Sequence, residues 1–80
     1  MNTKNELLEN SKVGSMRNKR GLTRQQLSQM SGVYHGTIQM IEIKGDEQIK
    51  VAKLETLIAL CKALNCRLRD LVPDEYKRFI

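Results

Sequence analysis

The sequence predicts an all-α domain of five helices, and three observations carry that prediction. Between Thr23 and Glu42, apolar residues recur at helical spacing in two short runs that are broken once, at Gly32. Val51, Leu54, Leu57, Ile58, Cys61 and Leu64 then form one wide apolar stripe of a long helix. Near the start, Ser11 ahead of Val13 and Met16 is a helix start signal with an apolar face behind it. Eighty residues make one domain with a single small core.

Along the chain, Thr3 and Glu6 form a capping-box pattern ahead of Leu7 and Leu8, so residues 1–10 read either as a helix or as an arm. Residues 11–20 read as the first helix of the domain proper, with Gly14 its weak point because glycine loses the most backbone freedom in a helix. Thr23 caps the second helix, and Gln26, three positions on, reaches back to the cap backbone; Leu27 and Met30 are its apolar positions. Gly32 ends that helix, since the left-handed conformation of a sharp turn favours a residue without a Cβ. Val33, Ile38 and Ile41 carry the third helix to Glu42, and Ile43-Lys-Gly-Asp-Glu-Gln48 reads as a helix stop and a polar loop. The stripe from Val51 to Leu64 is the fourth helix, and Leu68 with Leu71 the fifth. In the tail, Pro73 reads as the first residue of a short helix, with Asp74 and Glu75 at its positive end. The chain divides into an extension or arm at 1–10, a folded domain at 11–72 and a tail at 73–80.

Composition narrows the function classes. Fourteen Lys and Arg against nine Asp and Glu give a net charge of +5, and residues 1–40 hold +4 of it, so the N-terminal half is the electropositive half and suits a polyanionic partner. With one His, two Cys and no glycine-rich phosphate loop, the sequence offers neither a catalytic triad nor a metal centre, and it calls for no cofactor. Cys61 and Cys66 read as small buried hydrophobes of a reducing compartment, because a C-x4-C spacing with one distant His does not make a zinc site. No apolar run approaches the roughly 20 residues of a membrane span, and the polar N-terminus has no apolar block behind it, which is the pattern of a cytoplasmic chain.

Two short helices joined by a tight turn are the form in which a helix-turn-helix presents itself, here at about residues 23–42. Its second helix exposes Tyr34, His35, Thr37, Gln39 and Met40, side chains suited to the hydrogen-bonding and methyl-bearing edges of base pairs in a major groove. The ordered set Val13-x-x-Met16-Arg17-x-x-Arg20-Gly21-Leu22-Thr23, Leu27-x-x-x-x-Gly32-Val33 and Ile38-x-x-Ile41-Glu42 resembles the lambda-repressor-like, xenobiotic-response-element family of helix-turn-helix proteins. Leu54-x-x-Leu57-x-x-Leu60-x-x-x-Leu64 through Leu71 is similar to that family's fourth and fifth helices, so the resemblance covers about residues 11–72. Ser28 stands where the family has Ala on the inner face of the second helix, and its hydroxyl can bond a carbonyl four residues back. The loop before the long helix runs about four residues longer than in the family.

The resemblance implies a sequence-specific regulator of transcription, a repressor or an activator, that binds double-stranded DNA as a homodimer on a pseudo-palindromic operator. It puts Arg24 at a phosphate or first-base contact and His35 at a base-reading position, and it pairs Arg17 with Glu42 beneath the DNA-facing surface. Thr37, Gln39 and Met40 are further base candidates; Met40 suits a thymine methyl, although a Met at helical spacing equally fills a core. Gly36, between them, implies either a close backbone approach or no readout at that position. Thr23, Lys19, Arg20, Lys44 and Lys50 are phosphate candidates, with Tyr34 either placing its hydroxyl on a phosphate or packing on the turn. Tyr76, Phe79 and Ile80 are candidates for a twofold interface, or for packing on their own domain. The alternative class is a protein-interaction module, or an antitoxin-like or controller-like protein with a protein partner.

Overall fold

Hydroxyls and glycines close the ends of the first helices. The computed structural model describes residues 11–80. Helix α1 (Lys12–Lys19) begins after Ser11, whose Oγ accepts from the Gly14 amide at 3.0 Å. Helix α2 (Arg24–Ser31) carries both arms of the capping box: Thr23 Oγ1 accepts from the Gln26 amide at 3.0 Å, and Gln26 Oε1 from the Thr23 amide at 2.8 Å. It ends at Gly32, held at φ 79°, a region that a residue with a Cβ enters only under strain. Helix α3 (His35–Lys44) follows directly. The capping-box pattern at Thr3 and Glu6 lies outside the described residues.

The polar loop expected at residues 43–48 is instead the end of α3, one glycine and a further helix, α4 (Asp46–Val51). Gly45, at φ 61° and ψ −131°, lets the two helices meet at a single residue. What holds α4 comes from elsewhere in the chain: Ile49 is buried in the core, and Asp46 stands 3.6 Å from Lys12 Nζ. Ala52 and Lys53 are extended, so the stripe expected to run as one helix from Val51 is interrupted before α5 (Leu54–Leu64). With α6 (Leu68–Leu71) and a closing 3₁₀ helix (Asp74–Phe79), the described residues form six α-helices and one 3₁₀ helix rather than five helices. Pro73 is the N-cap of the last of these, not its first residue.

Every helix up to α6 gives the core at least one buried apolar side chain: Val13 from α1, Leu27 from α2, Ile38 and Ile41 from α3, Ile49 from α4, four from α5 and Leu71 from α6. Helix α2 packs on α3 and α5, and α1 on α3 and α6. The stripe on α5 is narrower than its sequence implies. Leu57, Leu60, Cys61 and Leu64 face inward, which turns Leu54 and Ile58 to the flank, while Val51 on α4 is 73% exposed. Met30, expected on the apolar side of α2, is also exposed. At the C-terminal end of α5, Asn65 adopts the left-handed conformation and the Cys66 amide donates to Cys61 O at 3.0 Å, closing the helix. Both cysteines are free thiols; Cys61 is buried and Cys66 only half-buried, against the expectation that both are enclosed.

The tail is tied down by charge. Lys12 Nζ donates to Val72 O at 2.8 Å and lies 3.5 Å from Asp74, and Lys50 Nζ lies 3.6 Å from Glu75. Among the described residues, no helix is long and apolar enough to cross a membrane.

Candidate nucleic-acid interface

One buried carboxylate joins three helices. Glu42, near the end of α3, is 1% exposed. Its Oε2 accepts from Arg17 Nε at 2.7 Å and its Oε1 from Arg17 Nη2 at 3.0 Å, a two-pronged bond between α3 and α1. Arg17 Nη1 also donates to Leu22 O at 2.7 Å, fixing the loop that leads into α2. Oε1 accepts a further bond, from Arg24 Nε at 2.9 Å, so the first residue of α2 is held to the same group. No buried side-chain nitrogen or oxygen among the described residues lacks a partner, which is the condition under which burying such charges is tolerable.

Hydroxyls stiffen the turn between α2 and α3. Ser28 does not bond back along its own helix; its Oγ donates forward to Val33 O at 2.6 Å, while Ser31 Oγ accepts from the Val33 amide at 3.1 Å. Two backbone groups of the turn are thereby satisfied by side chains of α2. The substitution of Ser for the family's Ala at position 28 was the only signal of this in the sequence, and the direction of the bond was not readable from it.

The recognition candidates line two hollows. His35 and Gln39 line a groove between α2 and α3 with Arg24, Gln25, Ser28 and Gln29. Thr37 and Tyr34 border a second hollow, with Gly32, Thr56 and Ala59. Met40 is exposed, and Tyr34 is 69% exposed with its ring tilted against that of His35 at 4.6 Å between centroids. Of the cationic candidates, Lys19, Arg20 and Lys44 are exposed, and Arg20 Nη2 lies 3.4 Å from Asn65 O at the end of α5. Lys50 is brought to the tail instead: Glu75 at 3.6 Å and Glu47 at 3.9 Å flank it, and the Glu75 carboxylate, with Glu47 and Tyr76 adding to it, outweighs desolvation and raises its pKa. Thr23 Oγ1 accepts from the Gln26 amide in the α2 cap, which leaves its O–H to donate outward. Tyr76, Phe79 and Ile80 are all exposed, with Lys50 Nζ 6.0 Å from the Tyr76 ring.

A helix-turn-helix family profile matches residues 13–71, which takes in α1 through α6. The chain belongs to the lambda-repressor-like helix-turn-helix family. This is a family of DNA-binding regulators. In this helix-turn-helix protein, α2 and α3 are the paired helices and α3 has the place of the recognition helix. No curated protein and no solved structure matches the chain.

Proposed function

We propose that this helix-turn-helix protein is a sequence-specific transcriptional regulator, acting as a repressor, that occupies a pseudo-palindromic operator in double-stranded DNA as a homodimer. The observation that carries the reading is the groove in which Arg24, His35 and Gln39 converge. It sets a guanidinium, an imidazole and an amide, the donors and acceptors that read base edges and phosphates, on the outer face of two helices whose relative position is held by Glu42. His35 and Gln39 read bases from this groove, with Thr37 and Met40 reaching bases beside it. Arg24, Thr23, Tyr34, Lys19, Arg20 and Lys44 contribute phosphate contacts that fix the register, while Lys50 contributes least because Glu75 and Glu47 already flank it. Tyr76, Phe79 and Ile80, exposed on a tail anchored to α1 and α4, form the twofold contact with a second copy.

Selection of duplexes from a random pool, followed by affinity measurements at two salt concentrations, tests this. The expected result is an enriched palindrome, abolished by replacing His35 and Thr37 with Ala, with affinity falling by about 0.9 logarithmic units per decade of salt for each phosphate contact. Exposed Met40 and Ile43 on α3 favour the second reading, a protein-interaction module. Weak binding with no enriched site and little salt dependence would overturn the regulator reading and favour that one.

A further inference from the structure

Gly36 is the second residue of α3, and the ring of Tyr34 occupies the space that a side chain there would fill. A Cβ built on Gly36 would stand 2.5 Å from Tyr34 Cε2, 3.1 Å from Cδ2 and 3.3 Å from Cζ. The ring therefore lies across the first turn of the recognition helix, and it does so only because position 36 carries no side chain. It is not packed away there: Tyr34 is 69% exposed, with the imidazole of His35 tilted against it at 4.6 Å. The N-terminal end of α3 thus presents an aromatic face and an imidazole side by side, the face supplied from the turn rather than from the helix.

We infer that Tyr34 is a specificity-determining residue, whose ring face takes the 5-methyl group of a thymine in the major groove. The inference rests on the DNA-binding reading above and changes the part that Tyr34 plays in it, from a hydroxyl on a phosphate to an apolar surface on a base. The chemistry follows from the geometry. With no side chain on Gly36, the helix offers no hydrogen bond at that position, and the base group that an aromatic face recognises in the major groove is the thymine methyl. His35, beside it, is left free to donate to or accept from the neighbouring base pair.

The test removes single methyl groups from the DNA. In the duplex selected by the unaltered protein, each thymine is replaced in turn by deoxyuridine, and affinity is measured at one fixed salt concentration. One thymine per half-site is expected to show a loss of about fourfold, the factor for withdrawing one methyl from an apolar contact. Tyr34→Ala abolishes that difference between the thymine and uracil duplexes. Tyr34→Phe keeps the ratio, whatever its absolute affinity. Gly36→Ala puts a Cβ into the place of the ring, so it loses the ratio as Tyr34→Ala does, although alanine is the better helix residue and the variant melts no lower than the unaltered protein.

An unchanged ratio in Tyr34→Ala, or a selected half-site without thymine, overturns the inference and leaves the regulator reading standing. Loss of the ratio in Tyr34→Phe as well assigns the effect to the hydroxyl and overturns it too. Failure of the unaltered protein to select any duplex overturns both readings at once.

Discussion

Arg24 and Glu42 meet at 2.9 Å, through the guanidinium Nε and one carboxylate oxygen, although 18 residues separate them in the chain. That oxygen also accepts from Arg17, so the residue that opens α2 and the residue that locks α1 to α3 share one acceptor. Stability and the presentation of Arg24 to a ligand are thereby coupled, and the two can be separated by mutation.

Glu42→Ala leaves the Arg17 guanidinium buried without its counter-charge. The expected loss is about 3–5 kcal/mol, read from urea denaturation. Arg24→Ala is different in kind, because the Arg24 side chain is 39% exposed and its removal leaves Glu42 still paired with Arg17. It is expected to cost at most about 1 kcal/mol in stability, while weakening DNA binding and lowering the salt slope by about 0.9 per half-site. Equal destabilisation by the two changes would show that Arg24 is structural only.

Ser28→Ala restores the residue usual in the family and removes the donor to Val33 O. The expected cost is about 1 kcal/mol, the net worth of one such bond. A neutral result in thermal melting would show that the carbonyl finds water at no loss.

On α5 the inward and flanking apolar residues are predicted to behave oppositely. Leu60 is fully buried, so Leu60→Ala should cost about 2–5 kcal/mol through lost burial and the cavity left behind. Leu54→Ala, on the exposed flank, should stay within about 0.5 kcal/mol for the monomer. A larger effect of Leu54→Ala that depends on protein concentration would put that flank in the contact between copies.

The two thiols should differ in reactivity. Burial, reinforced by Cys66, pushes the Cys61 pKa up to about 12; burial also raises that of Cys66, against a hydrogen bond with Cys61 that lowers it. Because a raised thiol pKa favours the protonated folded form, the contribution of Cys61 to stability is complete below its ordinary value of 9.0 and is lost as pH rises toward 12. Alkylation at pH 8 followed by mass spectrometry is expected to modify Cys66 first and Cys61 only on unfolding. Modification of Cys61 at the same rate would mean that the end of α5 opens readily.

Acid should loosen the tail. A hydrogen bond and the charge from Lys77, with Lys12 adding to them, hold the Asp74 pKa below its ordinary value of 3.8. A depressed carboxylate stabilises above its ordinary pKa and loses that contribution as pH falls through the folded value, so the effect is present at neutral pH and disappears below 3.8. The difference in melting temperature between the unaltered protein and Asp74→Asn should be small at pH 7 and vanish in that acid range. A difference that persists at pH 2 would assign the effect of Asp74 to something other than its charge.

The starts of the first two helices, the turn at Gly32 and most of the core are legible in the residues alone. Ser11 bonds the Gly14 amide, Thr23 and Gln26 bond each other, and Gly32 adopts the left-handed cap, all within one turn of chain, so each can be read from residues three or four apart. Tertiary structure decided the rest, because those features depend on meetings between distant segments. Residues 46–48 belong to the polar run that reads as a loop, and they open a helix because Ile49 finds the core and Asp46 finds Lys12. Which side of α5 faces inward is set by packing on α2, and that choice puts Leu54 and Ile58 outside. In the candidate site, periodicity exposes the residues of α3 but does not say that His35 and Gln39 share a groove with Arg24 while Thr37 borders a second hollow. Nor does spacing show Arg24 on the carboxylate of Glu42, or the ring of Tyr34 lying in the room left by Gly36. Local hydrogen bonds are written in short spacings; the sharing of an acceptor and the filling of a space exist only once the helices have packed.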